Sequence, residues 1–399
     1  MLELQNIRSN LDNVITRLQI RGFDATNILE ELINLDTNRK EVKTTMDSLL
    51  ANINQLNKKI AALYKAGKQD LAKDVQSESL LIKKEVQVLQ EKYKSCDDKI
   101  LEILSNIPNL PHISVPFGNN DNDNKIIKEQ GNIPELFEGA LPHWDLVKKH
   151  NLVDFELGNK ITGAGFPVYI DKGARLQRAL ISYFLDKNIS AGYIEYLPPH
   201  LVNESSGFGT GQLPKFEDDL FKVTLENNLF LIPTAEVPIT NLYRNTILKK
   251  QDLPIKCTSY TPCFRREAGS YGKDVRGLNR LHQFDKVEIV QVDNPKDSYK
   301  TLDSMVEHVS MLLDDLLLPY RIVQLCGGDL SFTSALTYDF EVYSAAQKKW
   351  LEVSSVSNFE SYQANRLKLR YKNEDGKNRL CHTLNGSALA LPRVFAAIV

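Results

Sequence analysis

The sequence has few cysteines, and their spacing gives no sign of cross-linking. None of the five forms a CxxC pair: Cys96, Cys257, Cys263, Cys326 and Cys381. A disulfide framework and a cysteine-ligated zinc site are therefore not expected. Buried, reduced thiols are the simpler interpretation.

Long apolar runs are missing as well. No stretch reaches the roughly 18 apolar residues that a membrane-spanning helix needs, and the N-terminus, MLELQNIRSNLDNV, lacks the apolar region of a signal peptide. We therefore expect no membrane partner and a cytoplasmic location. The formal net charge of −2 does not indicate bulk nucleic-acid binding, so any RNA contact must come from local basic patches.

The glycine patterns that hold phosphates at a helix N-terminus, GxGxxG and GxxxxGK[ST], are also absent. A phosphate-bearing ligand would then be held by arginines and a metal ion. The chain nevertheless has 399 residues, 42% of them hydrophobic. That length and composition allow a large core and predict two or three domains.

The first hundred residues carry a pattern of their own. Apolar residues recur by alternate steps of four and three from Val42 to Leu63, and the pattern resumes from Leu71 to Ile103 after a turn at 66–68. This spacing is typical of a coiled coil. It predicts two helices of roughly 30 residues, folded back as an antiparallel hairpin that reaches about 45 Å.

The tip of the predicted hairpin is basic. The stretch from Ser48 to Gln69 has no acidic residue and contains four lysines: Lys58, Lys59, Lys65 and Lys68. Unopposed lysines at the end of a long lever suit a phosphate backbone. Arms of this kind also serve in dimerisation or as spacers, and the residues alone leave these interpretations open.

Composition changes after the hairpin. Prolines and an Asn/Asp cluster predict a linker, and beyond it helical stretches alternate with short β-rich runs, which predicts an α+β domain. The predicted organisation is an N-terminal domain, a linker and a C-terminal domain, over 1–106, 107–135 and 136–399. The clearest helices are expected over 174–188 and 295–317, and the clearest strands over 230–233 and 287–292.

The most informative stretch is FRREAGSYGKDVRGLNRLHQFDKVEIV, from Phe264 to Val290. Two alternating apolar segments bracket a Gly- and Arg-rich loop, which predicts antiparallel strands joined by a basic loop able to close. Arg265 ends the first strand and Glu288 lies in the second, so both would face one sheet surface. A guanidinium there can bind phosphate or carboxylate oxygens through its rigid fork of donors.

This stretch resembles motif 2 of the class II aminoacyl-tRNA synthetases, and in detail that of the seryl-tRNA synthetases. Further blocks agree in order and spacing over most of the chain, which makes the match specific. They are GTGQLPKF (209–216), IPTAEVPITNLYR (232–244), EVSSVSN (352–358) and HTLNGSALALPR (382–393). The sequence is identified as a member of this family, of the bacterial type.

The resemblance implies an α+β fold. An antiparallel α-helical coiled-coil hairpin would precede a class II catalytic domain, built on an antiparallel β-sheet flanked by helices. It also implies a serine–tRNA ligase, which forms seryl-adenylate and pyrophosphate from L-serine and ATP and transfers serine to tRNA(Ser), and to tRNA(Sec) where that is present. The hairpin would grip the long variable arm of the tRNA, whose acceptor end would reach the catalytic domain.

Two other functions are compatible with the same catalytic fold. One is a relative that aminoacylates a carrier protein, but those relatives lack a long tRNA arm. The other is a catalytically silent tRNA-binding paralogue, against which the intact charged residues argue.

The resemblance gives catalytic roles to Arg265, Glu352 and Arg393. Arg265 would contact the α-phosphate and the serine carboxylate, and Arg393 the γ-phosphate of a bent ATP, so that accumulating negative charge is neutralised. Glu352, beside Ser355, suits Mg²⁺ bound with ATP. The expected ATP site comprises Arg265, Arg266, Glu267, Leu281, Phe284, Glu352, Val353, Ser354, Ser355 and Arg393.

Around the adenine, Glu267 would read the amino group while Phe284 and Leu281 wall the ring. A core position explains Leu281 about equally well. The expected serine site comprises Thr234, Ala235, Glu236, Arg265, Glu288, Asn385 and Ser387. It offers carboxylates for the ammonium group and polar partners for the hydroxyl, partners that alanine would leave unpaired.

Motif 1 is the weakest block. Pro199 stands where the family has its motif 1 proline, in an element of the dimer interface, so the expected homodimer rests on the resemblance. Two departures concern motif 3 and the end of the chain. The commoner family form has glycines where Ala388 and Pro392 stand, and Val399 ends the chain earlier than in other members, so a shortened last helix is expected.

Overall fold

The computed structural model describes residues 1–224, 227–268 and 276–399. Their contacts divide the chain into two compact units. The helical unit comprises Leu4–Ile15 and Asp24–Ile107, and the catalytic unit comprises Met1–Glu3, Thr16–Phe23 and Pro108–Val399.

Helices make up the N-terminal part of the chain. They are α1 (Leu4–Ser9), α2 (Leu11–Gln19), α3 (Thr26–Lys65) and α4 (Gln69–Ser105). Helices α3 and α4 form the predicted antiparallel hairpin, and the heptad residues Met46, Ile53 and Val86 are buried together between them. The predicted helix length was wrong, because both helices run beyond the heptad seam, to 40 and 37 residues. At 1.5 Å per residue the longer one spans about 60 Å.

Sixteen strands are found in the described residues of the catalytic unit. They are β1 (Lys125–Gln130), β2 (Val153–Asp154), β3 (Val168–Tyr169), β4 (Ile194–Glu195), β5 (Leu201–Asn203), β6 (Lys222–Thr224), β7 (Asn228–Leu231), β8 (Ile247–Lys249), β9 (Ile255–Phe264), β10 (Gln283–Asp293), β11 (Tyr320–Gln324), β12 (Leu336–Ser344), β13 (Lys349–Asn358), β14 (Arg370–Lys372), β15 (Asn378–Leu380) and β16 (His382–Ala390).

The helices of this unit alternate with the strands in the sequence, and the last helix follows β16. They are α5 (His143–Lys149), α6 (Phe155–Ile161), α7 (Lys172–Ser190), α8 (Glu204–Thr210), α9 (Glu236–Asn241), α10 (Ser298–Asp315), α11 (Ser361–Leu367) and α12 (Leu391–Ile398). Three short 3₁₀ turns complete the described secondary structure: Asp121–Asp123, Glu217–Asp219 and Lys250–Asp252.

The main sheet has eight strands in the order β1-β11-β12-β13-β16-β10-β9-β4. Every neighbouring pair is antiparallel except β4 and β9, which confirms the predicted antiparallel α+β architecture. Strand β1 lies within 107–135, the stretch predicted to be a linker, and Val115 of that stretch packs in the main core. This part of the chain is therefore built into the sheet, and the predicted domain limits remain a prediction.

One face of the sheet packs against helices and the other bounds a cavity. Because successive side chains of a strand point to opposite faces, Val287 and Ile289 of β10 join the core with residues of α7, α10 and α12. Phe284, Lys286 and Glu288 of the same strand line the cavity. The alternation seen in the sequence thus divides the side chains of β10 into a set that packs in the core and a set that lines the cavity.

Two compositional expectations can be compared with the structure. All five cysteines are buried and unpaired, as expected for reduced thiols. Within the described ranges, no helix is both long and apolar enough to cross a membrane.

Candidate active site

A cavity of about 460 Å³ lies on the open face of the main sheet. It collects side chains from β10, β13 and β16, from the starts of α9 and α12, and from Arg265 directly after β9. Thirteen of the residues predicted from the sequence line it: Thr234, Glu236, Arg265, Glu267, Leu281, Phe284, Glu288, Glu352, Val353, Ser355, Asn385, Ser387 and Arg393.

Three predicted residues lie beside the cavity rather than in its lining. Ala235 is fully buried at the start of α9, next to Thr234. The backbone N–H of Arg266 donates to the carbonyl of Asp219 at 2.9 Å. Ser354 is buried and donates to the Ser387 carbonyl at 2.6 Å, so it links β13 to β16.

Arg265 follows directly after β9, as predicted, and its guanidinium faces the cavity. It lies 5.3 Å from the centre of the Phe284 ring, and its Nε donates to the Pro233 carbonyl at 3.3 Å. These contacts hold the group against the sheet and leave other donors for a ligand. Residues 269–275 of the loop expected to close over this site lie outside the described residues.

Arg393 also lines the cavity, and it lies in the first turn of α12. Its Nε donates to the Asn279 carbonyl at 2.9 Å, and its Nη1 donates to the Glu352 carbonyl at 2.6 Å. The departure at Pro392 does not disturb the helix, because proline in the first turn loses no helical hydrogen bond. The other departure, Ala388, is fully buried in the main core.

A β-bulge in β13 shapes the next part of the lining. Phe340 faces Ser354 and Glu341 faces Glu352, so Val353 is an extra residue in its strand. Regular alternation would send Glu352 and Ser355 to opposite faces, but the extra residue brings both to the cavity. The carboxylate of Glu352 is 50% exposed and lies 3.7 Å from Arg393 Nη1.

Buried charges fill the deepest part of the cavity. Lys286 forms an ion pair with Glu288, and both side chains are almost completely buried. Thr234 connects them, since its hydroxyl donates to Glu288 at 2.9 Å and accepts from Lys286 Nζ at 2.9 Å. The buried carboxylate of Glu288 is therefore fixed in position, and Lys286 already balances its charge.

Glu236 is the second buried carboxylate of the cavity. Its Oε1 accepts a hydrogen bond of 2.6 Å from Nε2 of Gln363 in α11. Burial, and then the charge of Glu288, raise the pKa of Glu236 to about 7. The hydrogen bond from Gln363 acts in the other direction because it stabilises the ionised form. Near neutral pH this site can therefore gain or lose one proton.

The chain was compared with known proteins. The profile of the seryl-tRNA synthetase N-terminal domain matches residues 1–111, and that of the tRNA synthetase class II core domain (G, H, P, S and T) matches residues 220–399. The serine–tRNA ligase of Nautilia profundicola is 48% identical over 400 aligned residues, which span 100% of this chain and 95% of the relative. That of Salinibacter ruber is 44% identical, with 100% and 93% covered.

The chain belongs to the seryl-tRNA synthetase family. The fold agrees, because the crystal structure of seryl-tRNA synthetase from Pyrococcus horikoshii, complexed with ATP, superposes with a TM-score of 0.91 at 31% identity. That match covers 100% of this chain and 93% of the other. This protein is thus an aminoacyl-tRNA synthetase of class II, and neither alternative function gains support.

Several lining residues of this synthetase were not predicted from the sequence. Arg280 forms an ion pair with Glu267, the expected adenine reader, whose backbone has a left-handed φ of +54°. Leu281 lines the cavity and also packs in the main core, so both interpretations of it apply. The other unpredicted lining residues include Gln212, Phe216, Asp219, Leu278, Asn279, Lys286, Phe332 and Thr333.

Gln212 and Phe216 lie in the recognised block 209–216, and a further sequence signal existed for Lys286. It alternates with Phe284 and Glu288 in β10, so the period of two already placed it on the same face. Gln363 carried no such signal, because it lies outside the recognised blocks and is 127 residues from Glu236 in the sequence, so only the tertiary fold brings the two together.

The four predicted RNA-binding lysines belong to the helical unit. Lys58, Lys59 and Lys65 lie at the end of α3, Lys68 lies in the turn before α4, and all four are exposed. Among the described residues, no carboxylate forms an ion pair with any of them. Their charge therefore remains available to solvent and to an anionic partner.

Proposed function

We propose that this synthetase activates L-serine with ATP in the cavity and transfers it to tRNA(Ser). The observation that carries the proposal is that Arg265 and Arg393 line one cavity together with the buried carboxylates Glu236 and Glu288. Guanidinium groups bind phosphate oxygens, and carboxylates bind an ammonium group. The cavity therefore has groups that can bind the phosphates of ATP and groups that can bind the ammonium group of serine.

In the first step, a carboxylate oxygen of serine attacks the α-phosphorus of ATP, and pyrophosphate leaves. Arg265 holds the serine carboxylate and the α-phosphate close together and offsets their mutual repulsion. Arg393 receives the γ-phosphate, which directs the leaving group away from serine. In the second step, a ribose hydroxyl at the acceptor end of tRNA attacks the serine carbonyl carbon, and AMP leaves.

Magnesium is expected to accompany ATP, and the donors of the bulged strand fit it. Glu352 offers a partly exposed carboxylate, and Ser355 lines the same part of the cavity. Oxygen donors of this kind are those that Mg²⁺ prefers, and ligation by one carboxylate plus the phosphates is usual. When bound, the ion would neutralise phosphate charge. The protein's own part is to hold Glu352, through the bulge and Arg393, at the side of the phosphates.

The ATP site is proposed to extend from these phosphate contacts to the adenine. Phe284 and Leu281 provide the apolar walls, and the Phe284 ring also lies against the Arg265 guanidinium. Glu267 provides an acceptor for the adenine amino group. Its ion pair with Arg280 orients the carboxylate. Arg266, Val353 and Ser354 contribute backbone or strand-to-strand contacts at the rim of this site.

The serine site is proposed at the deep end of the cavity. Glu236 and Glu288 supply carboxylates, and Thr234, Asn385 and Ser387 supply polar groups from three different elements. Ala235 places its neighbours at the start of α9. A pocket with partners for a hydroxyl discriminates against alanine because those partners would stay unpaired and buried.

Recognition of tRNA is proposed for the hairpin tip. The four exposed lysines, 58, 59, 65 and 68, suit the phosphates of the long variable arm. The acceptor end would enter the catalytic cavity, and tRNA(Sec) would be served in the same way where it is present. A cytoplasmic location is proposed with them, because these substrates are used there.

A homodimer is proposed through the motif 1 region. Ile194 and Leu197, just before Pro199, are 58% and 83% exposed although both are large and apolar. Exposed apolar residues that follow one another on a short segment are typical of a surface covered by a partner. A second copy of the chain is the partner that the family resemblance suggests.

Serine-dependent exchange of pyrophosphate into ATP tests the proposed activity. The purified protein should support exchange with L-serine and Mg²⁺, while alanine and threonine at the same concentration should give at least about a hundredfold less, since both lack the fit to the pocket. If alanine or threonine supported exchange as fast as serine does, the serine assignment would be overturned. Exchange without any added amino acid would overturn it as well.

A further inference from the structure

Helix α11 brings a buried glutamine to the floor of the cavity. Gln363 is 1% exposed, and its Nε2 donates to Glu236 Oε1 at 2.6 Å. The same nitrogen donates to the Thr210 carbonyl at 3.2 Å. On its other side, the hydroxyl of Thr383 donates to Gln363 Oε1 at 2.7 Å. The amide therefore has a partner on each side.

These partners fix the orientation of the amide. A backbone carbonyl only accepts hydrogen bonds, so Thr210 requires the NH₂ end of Gln363 on its side. The Oε1 end then faces Thr383, which is 1% exposed and can donate. Consequently the NH₂ group always points at Glu236, and no rotation of the amide can offer that carboxylate an oxygen instead.

We propose that Gln363 is a positioning residue for amino-acid binding, which holds the ionised carboxylate of Glu236 where the ammonium group of serine is received. The inference rests on the proposed serine site and deepens it. Gln363 itself does not line the cavity and would not touch the substrate.

The charges around Glu236 explain why such a residue is needed. Glu288 and Lys286 face it from β10, Arg265 faces it from the end of β9, and Gln363 faces it from α11. Lys286 is already paired with Glu288 and hydrogen-bonded to Thr234. Among the described residues, Glu236 has no ion pair of its own. Until a cationic ligand arrives, the hydrogen bond from Gln363 is therefore the largest contribution that favours its ionised form, ahead of the charges of Lys286 and Arg265.

The pH dependence of serine use tests this role. In Gln363→Leu, the lost hydrogen bond should make ionisation of Glu236 harder, so the acid limb of kcat/KM for serine should move to higher pH by about one unit. With the wild-type midpoint near 7, kcat/KM for serine at pH 7 should fall about fivefold and recover at pH 9. The KM for ATP should stay unchanged.

Two further variants make the test decisive. Thr383→Val keeps the size of the side chain and removes the donor that orients the amide, so it should shift the acid limb in the same direction by less. Gln291→Leu is the matched control, because Gln291 is equally buried but donates to Tyr193 outside the cavity. That variant should leave the acid limb in place.

The outcomes separate the inference from the proposed function. If the wild-type protein shows no serine-dependent exchange, the serine site and this inference both fail. If the wild type is active and the acid limbs of Gln363→Leu and Thr383→Val coincide with its own, only the positioning role is wrong. Should Gln363→Leu not fold, the result with Thr383→Val decides.

Discussion

At the scale of single residues, the positive charge of the cavity comes from guanidinium groups held by neighbouring carbonyls and rings. Arg265 lies against Phe284 and the Pro233 carbonyl. Arg265→Ala should therefore lower serine-dependent pyrophosphate exchange by about 10² or more, because the transition state loses a charge partner. Arg265→Lys should restore only part of it, since an ammonium group lacks the planar fork.

The control for this prediction is Arg321→Ala. Arg321 is also partly buried, paired with Glu341 and placed over the Trp350 ring, but it does not line the cavity. Its loss should leave exchange unchanged. Wild-type exchange in Arg265→Ala would refute the role given to Arg265.

The buried carboxyl group of Glu236 lowers the free energy of unfolding when it is ionised. Its pKa is raised from 4.5 to about 7. Between these values the folded protein keeps a proton that the unfolded chain releases, so the free energy of unfolding falls as pH rises through this window. Ionised Glu236 should thus reduce stability well above pH 7 by about 3 kcal/mol.

Glu236→Gln should remove this pH dependence. The variant should unfold at a higher temperature than the wild type at pH 8, and the two midpoints should approach each other at pH 4.5. Thermal unfolding followed by circular dichroism at both pH values provides the measurement. If the unfolding midpoints of the two proteins differed by the same amount at pH 4.5 and at pH 8, Glu236 would not be the titrating group.

The sequence predicts the residues inside recognisable motifs better than those that support them. Arg265, Glu288, Glu352 and Arg393 all line one cavity, as expected from their motifs. Gln363 could not be predicted, because its contact with Glu236 joins parts of the chain that share no local pattern.

At the scale of elements, periodicity was the reliable guide. The heptads of α3 and α4 and the alternation of β9 and β10 each predicted the right element because every residue of the pattern reports on the same buried face. Strand β1 was missed since all six of its residues are exposed and give no alternation. The bulge at Val353 was also invisible, because one extra residue in a strand leaves no mark in the pattern.

The hairpin tip gives the prediction that belongs to this scale. Replacing Lys58, Lys59, Lys65 and Lys68 by Gln should weaken tRNA binding and flatten its salt dependence, since each lost phosphate contact removes roughly 0.7 to 0.9 from the log–log slope. Adenylate formation should not change. Filter binding at several salt concentrations measures the slope.

Two controls test whether the effect belongs to the tip. Changing the exposed lysines 92, 94 and 99, nearer the other end of α4, to Gln should have a smaller effect on the slope. Deleting residues 37–104 and joining the ends should leave adenylate formation measurable while tRNA charging falls by orders of magnitude. If the deleted protein charged tRNA like the intact one, the hairpin would be only a spacer.

At the scale of the whole molecule, the exposed apolar segment before Pro199 predicts the oligomeric state. The wild-type protein should have a mass of about twice the 45.3 kDa of one chain by light scattering. Leu197→Asp should shift it towards the monomer, because a carboxylate would be buried at the interface without a partner. Leu317→Asp, at an equally exposed leucine, should not. A wild-type monomer at micromolar concentration would refute the dimer.

The division of the chain into units also sets an order of events during synthesis on the ribosome. Helices α3 and α4 meet across a three-residue turn, so the hairpin can form as soon as both have emerged. The catalytic unit has to wait, because the amide of Asn365 donates to the carbonyls of Met1 and Leu2, at 3.0 and 3.2 Å. Met1 and Leu2 can therefore reach these partners only after Asn365 has been synthesised.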